Sequence, residues 1–289
     1  MKRKLISLLL VFAAFFAIAV PARAAGEGCV VLGADLSDEQ IETVYGFFGI
    51  KRGSVPELKV SNAEERGYLE GLVDESVIGK YSISCVYVCL LEKGAGLTIE
   101  THNIGWITPE MYKNALVTAG VMDAKIVVAA PFEVSGTAAL TGVFKAYEQI
   151  TGLKLDEEAK TAGMRELTTT GELAEQIGEL DATGIVTDFK GKLAETAKMS
   201  DEELRGEIAR VAGKYNVSFS DSQIGQLVDL IRTMEKLDPS ALSERVEQAK
   251  QTIERIEEAK DKAVSFYERL KNFFSAASFF FEGLKELFG

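Results

Sequence analysis

His102 is the only histidine in the chain, and in an extended segment it shares a face with Glu100 and Thr98, because side chains two apart point the same way. A carboxylate beside an imidazole is the pairing that orients a general base. No G-x-S-x-G or comparable nucleophile signature accompanies it, and a polar strand face at a sheet edge gives the same residue types. The turn Ser135-Gly136-Thr137 follows an apolar strand and opens a helix, so its backbone N–H groups and the positive helix end can hold an anion. Neither the phosphate-loop pattern nor G-x-G-x-x-G is present, and a serine cap with close helix-to-sheet contact explains the same letters. Glu100, His102 and Ser135 together make one joint candidate for a small-ligand site or a hydrolase; Ser135, Gly136 and Thr137 stand as a ligand-binding candidate on their own.

Three cysteines complete the chemically capable residues. Cys85 and Cys89 lie four apart in a strand, on one face but about 13 Å from each other, too far for a disulfide. A bridge from Cys29 to either and three reduced, buried thiols both fit the sequence. With His102 the three formally compose a Cys₃His zinc set, but the close pairing of zinc knuckles is lacking. No D-x-D-x-D-G calcium loop occurs either, so neither a metal nor a cofactor is expected.

The elements that must position these residues are legible as alternating strands and helices. Cys29 to Leu36 reads as a strand, and Ser37-Asp38-Glu39-Gln40 as the capping box of a helix reaching Phe48, which Gly49 ends. Glu57 to Val60 and the box Ser61-Asn62-Ala63-Glu64 repeat the unit. Ile83 to Leu91 and Leu97 to Ile104 flank a glycine-bearing turn and predict an antiparallel hairpin. Thr108-Pro109 starts another helix, Lys125 to Ala130 is a short apolar strand of central type, and Pro131 is expected to stop it. The helix after Ser135 carries a small-residue edge, Gly136, Ala139 and Gly142, suited to close packing on the sheet. After Gly152 only helices are signalled: at Asp156, at Thr169 with Glu172, at the boxes Ser200 to Glu203 and Ser220 to Gln223, and at Asp238-Pro239.

The first residues, Met1-Lys2-Arg3-Lys4, an apolar run from Leu5 to Val20, Pro21 and Ala22-Arg23-Ala24, read as a secretory signal peptide with cleavage expected after Ala24, a retained N-terminal anchor being the alternative. Its removal leaves 28 basic side chains against 44 acidic ones, a net charge of −16. Nucleic acid and anionic lipid are poor electrostatic partners for such a chain.

From Leu242, steps of four and three give Val246, Ala249, Ile253, Ile256, Lys260, Ala263, Tyr267, Leu270, Phe274, Ala277, Phe281, Leu284 and Phe288, all apolar except Lys260. This is the seam of a long amphipathic, coiled-coil-like helix, about 75 Å if unbroken. Beyond Lys260 the stripe widens through Phe266, Phe273 and Phe280 into an aromatic face that needs cover. Phe266, Phe273, Phe274, Phe280, Phe281, Leu284 and Phe288 are therefore the interaction candidates. Intramolecular packing, self-association and membrane contact are the three ways of burying them; the evenly mixed charge of the segment disfavours the last.

The segments GADLSDEQ (33 to 40), VSNAEERGYLEG (60 to 71), HNIGWIT (102 to 108), MYKNALVTAGV (111 to 121) and DAKIVVAAPFEVSGTAALTG (123 to 142) resemble the YpuA-like family of exported Firmicute proteins, a domain of unknown function. The resemblance covers 28 to 152 well and the later helices loosely. It implies an extracytoplasmic location and no established activity. Cysteines at Cys85 and Cys89 are outside the family's pattern, which argues against a shared redox or metal role.

These readings predict an exported α+β protein: a signal peptide over 1–24, an α/β domain with a mixed sheet over 28–152, a helical region over 153–238 and a long amphipathic helix over 239–289. The expected role is a non-enzymatic binding or scaffolding module of the cell envelope, partnered by an envelope component or by a second copy through the last helix.

Overall fold

The computed structural model describes residues 28–73 and 75–251, so the signal segment and the aromatic face from Phe266 to Phe288 lie outside the described residues. The chain is α+β. Two compact units divide it: one takes in 28–91, Ile99–Pro109 and Ala124–Lys154, the other Glu92–Thr98, Glu110–Asp123 and 155–251.

The first unit is built on a mixed five-stranded sheet of order β2-β1-β3-β5-β4, with β1 Gly28–Gly33, β2 Glu57–Val60, β3 Cys85–Leu90, β4 Leu97–Ile104 and β5 Ala124–Val134. β1 runs parallel to β2 and antiparallel to β3, and β3 is antiparallel to β5. The predicted hairpin is therefore not formed, because β5 lies between β3 and β4. β3 is apolar on both faces and uses both its edges, pairing with β1 and β5, while the alternating β4 suits the outer edge. β5 is the central-type strand expected, but it runs through Pro131 to Val134. Its pairing with β3 ends at Ala129, so Pro131 interrupts no bond on that side. The last residues of β5 thus overhang the end of β3.

Helix α1 (Asp38–Phe48) covers one sheet face, with Val30, Leu32, Cys85, Tyr87, Val127 and Ala129 packed under Ile41, Val44, Tyr45 and Phe48. The opposite face meets α5 (Thr137–Thr151), where Gly142 allows close approach: a Cβ there would stand 3.2 Å from Val86 and 3.6 Å from Val31. Helices α2 (Asn62–Leu69) and α3 (Glu75–Ile78) fall between the strands; α4 (Pro109–Ala119) does so in chain order but from Glu110 on belongs to the second unit. Both Ser37 and Ser61 form the expected capping boxes.

The second unit is helical, with α6 (Glu157–Ile177), α7 (Glu179–Lys190), α8 (Leu193–Thr196), α9 (Asp201–Lys214) and α10 (Asp221–Met234). Asp156 caps α6, and Ser200 and Ser220 close capping boxes on α9 and α10. Thr169 starts no helix; it is buried inside the continuous 21-residue α6. Leu173, Phe189, Ile208, Leu227 and Ile231 are among the core residues, and Leu242, the first residue of the heptad seam, joins them at 1 % exposure. Val246, one step along the seam, packs against the same core. That part of the seam is covered by the unit's own helices.

Candidate functional site

The three thiols do not converge. Cys29 stands opposite Val88 and Gly28 opposite Cys89, so Cys29 projects from the sheet face opposite to that of Cys85 and Cys89. All three are free, and burial pushes Cys29 up to about 11 and Cys85 up to about 12, far from a reactive thiolate. Among the described residues no group of His, Cys, Asp and Glu is placed to hold a metal ion.

Glu100 and His102 are engaged elsewhere. Glu100 pairs with Lys125 at 3.0 Å, and the His102 ring stacks on Phe47 of α1, 4.8 Å between centroids at 11°. The stack puts His102 on the α1 side of the sheet, while Ser135 precedes α5 on the other side. The joint site of Glu100, His102 and Ser135 is accordingly not assembled.

The Ser135 turn, in contrast, is the wall of a real groove. Gly136 is the N-cap of α5 and adopts φ 96°, a left-handed conformation that favours glycine. Ser135 is not the cap that the sequence suggests, for no side chain caps this helix. Instead its hydroxyl donates to the Val77 carbonyl at 3.0 Å and lies 3.3 Å from the Thr137 hydroxyl. Thr137, in turn, donates to Glu65 Oε1 at 2.6 Å. Glu65 comes from α2 and is 1 % exposed, and its second oxygen, Oε2, has no hydrogen-bond partner among the described residues.

These residues line a groove of about 300 Å³ at the overhanging end of β5. Val77 and Gly79 to Tyr81 form a wall, and Phe132 of β5 another. Tyr81 is 68 % exposed and Phe132 49 %, so each wall carries one exposed aromatic ring. The framework is tied from several directions. Arg66 donates to the Gly79 carbonyl at 2.9 Å and pairs with Glu75 at 2.8 Å, which fixes the Glu75 to Gly79 wall to α2. Lys145 of α5 pairs with Glu64 of α2 at 2.6 Å.

Burial pushes the Glu65 carboxyl up to about 7, against the lowering influence of the Thr137 hydroxyl, the Asn62 amide and the Arg66 charge. A side chain of this kind is half ionised near neutral pH, so it can either accept from a cation or donate to an acceptor. Sequence reasoning missed it. Glu65 stands directly after the capping-box Glu64, where acids commonly complement the helix dipole. The only signal was its spacing of four from Leu69, the other buried residue of α2.

A second buried carboxylate belongs to the helical unit. Lys190 Nζ donates to Glu166 Oε1 at 2.9 Å and to the Asn114 carbonyl at 3.0 Å, and Thr118 donates to Glu166 Oε2. The carboxylate and ammonium partner each other and the pair is 1 to 3 % exposed, as in a structural pin.

Fold and site together define an α+β chain whose sheet unit carries a carboxyl-floored groove with aromatic walls. The chain belongs to the family described as "Protein of unknown function (DUF1002)", whose model matches residues 32–256. The resemblance read from the motifs holds, and the match extends well past 152 into the helices. The chain is similar to "Uncharacterized protein YpuA" of Bacillus subtilis (strain 168), with 38 % identity over 254 residues, 87 % of each chain. No solved structure matches it.

Proposed function

We propose that this chain is an exported, cell-envelope-associated binding module, non-enzymatic, with the Glu65–Ser135–Thr137 groove as its ligand site. The observation that carries the reading is the half-satisfied Glu65 carboxyl at the floor of an open groove. A buried acceptor without a partner costs about 1 to 3 kcal/mol, and such a cost is retained where a ligand supplies the missing contact. Binding is favoured over hydrolysis because both hydroxyls are committed: Ser135 donates to a backbone carbonyl, and Thr137 is 1 % exposed. Export rests on the signal-peptide pattern of residues 1–24. Self-association through the aromatic residues Phe266 to Phe288, which lie outside the described residues, remains part of the proposal; among the described residues no helix is long and apolar enough to cross a membrane.

The test is co-sedimentation of the chain from residue 25 with purified cell walls, beside a Tyr81→Ala/Phe132→Ala variant. Both rings are exposed, so the variant is expected to fold. Wild-type protein should pellet with the walls and the variant should stay several-fold more in the supernatant. Equal pelleting of the two, or no pelleting of either, defeats the reading. Recovery of the chain from the cell in uncleaved, cytoplasmic form defeats the exported part.

A further inference from the structure

We infer that the groove takes an organic cation, an alkylammonium group whose charged head seats on Glu65 Oε2 and whose apolar body lies against Tyr81 and Phe132. The inference rests on the groove being the ligand site and adds the chemistry of what fills it.

The argument starts from the free acceptor. Glu65 Oε1 already accepts from Thr137, so the Oε2 lone pairs are what the floor offers to a ligand. The complement of a buried carboxylate oxygen is a donor, and a charged donor makes the stronger bond. The lining also includes the two exposed rings of Tyr81 and Phe132. Aromatic faces attract cations and repel anions through the ring quadrupole, and they also cover an alkyl chain. A volume of about 300 Å³ is at the lower end of small-ligand sites, suited to a short chain.

The charges around the groove sort consistently. Arg66 is held by Glu75 and the Gly79 carbonyl, and Glu64 by Lys145, so these cations and anions are mutually engaged. Glu133, just beyond Phe132, lies against Gly105, its carboxyl oxygen 2.9 Å from where a Cβ of that glycine would be. Among the described residues Lys80 is the one exposed cation on the lining, and it opposes the proposed ligand. Occupation by an ammonium favours the ionised form of Glu65, so binding should release a proton near neutral pH, whereas a carboxylic ligand would favour the protonated form and bind with uptake.

The experiment is isothermal titration of the chain from residue 25 with butylammonium, butyrate and 1-butanol at pH 6, 7 and 8. Butylammonium should bind, with an affinity rising about tenfold from pH 6 to pH 8 as Glu65 ionises. Glu65→Gln should weaken it at least tenfold at pH 8 and flatten its pH dependence, with folding confirmed by circular dichroism. Lys80→Met, which leaves the floor intact, should strengthen it several-fold. Tighter binding of butyrate, equal binding of all three probes, an affinity untouched by both variants, or no binding of butylammonium overturns the inference. If wall co-sedimentation depends on Tyr81 and Phe132 but butylammonium does not bind, the inference fails and the binding module stands; if butylammonium binds and walls do not, the envelope reading fails and the inference stands.

Discussion

Replacing Glu65 by glutamine isolates the electrostatic state of the groove floor. In the folded chain its carboxyl is pushed from the ordinary 4.5 to about 7 by burial. In the unfolded chain it titrates near its ordinary value, so between pH 4.5 and 7 the unfolded state has lost a proton that the folded state keeps. Stability must then fall as pH rises through this window; it is undiminished below about 4.5 and reaches its full loss above about 7. At about 1.4 kcal/mol per pH unit, the loss is at most about 3.5 kcal/mol. Glutamine cannot ionise and can still accept from Thr137 through its carbonyl oxygen, but it buries an amide in place of Oε2 at a cost of about 1 to 3 kcal/mol. The variant should therefore be less stable than wild type at pH 4.5 and should equal or exceed it at pH 8. The assay is urea unfolding followed by fluorescence of Trp106, the only tryptophan, which lies in the sheet unit. The quantity that decides is the difference between wild type and variant at each pH, in which the titrations of all other groups cancel. A difference that is constant from pH 4.5 to pH 8 refutes the argument, because it means that Glu65 titrates alike in both states.

Lys190→Met should cost about 3 to 5 kcal/mol by leaving Glu166 buried without its cation, and Glu166→Leu added to it should recover most of that loss; far-UV circular dichroism in urea reads both, and a mild single variant contradicts the buried pin. Titration with a thiol reagent at pH 8 should modify Cys89 first, with Cys29 and Cys85 reacting only in denaturant, where three thiols should count; fewer than three reveals a disulfide. Gly142→Val should destabilise by about 1 to 3 kcal/mol by overfilling the contact with Val86, whereas Gly206→Ala, in α9 with open space around it, should stabilise by up to about 1 kcal/mol. Thermal melts of the two glycine variants should move in opposite directions, and a shared direction rejects the packing account.

Most local signals in this chain translated into structure, the helix start read at Thr169 with Glu172 being an exception. Ser37, Ser61, Ser200 and Ser220 close their capping boxes because the box needs only four consecutive residues. Errors appeared where a distant segment competes. Ile83 to Leu91 and Leu97 to Ile104 look like a hairpin through their shared turn, yet β3 pairs with β5, some forty residues away, because an apolar strand gains by having neighbours on both edges. Pro131 looks like a strand end, but a strand that has outrun one partner has no bond on that edge for proline to break.

The groove follows the same logic and explains why half of it was visible. Ser135, Gly136 and Thr137 were legible because they form one turn between a strand and a helix. Their roles were not, because the acceptors of the two hydroxyls, Val77 and Glu65, come from α3 and α2, 58 and 72 residues earlier. Overrunning β3 is what opens the space: the residues of β5 beyond Ala129 have no β3 partner beside them, and Phe132 and Val134 line the groove there. Glu65 is thus tied to α5 through Thr137 and lies, 1 % exposed, in the lining of the groove. The proline that looks like a punctuation mark is in fact tolerated at the point where β5 has outrun β3 and begins to line the groove. A Pro131→Val substitution should accordingly leave the β5 overhang and the groove intact; loss of butylammonium binding in that variant, with folding unchanged, would show that the missing N–H itself shapes the wall.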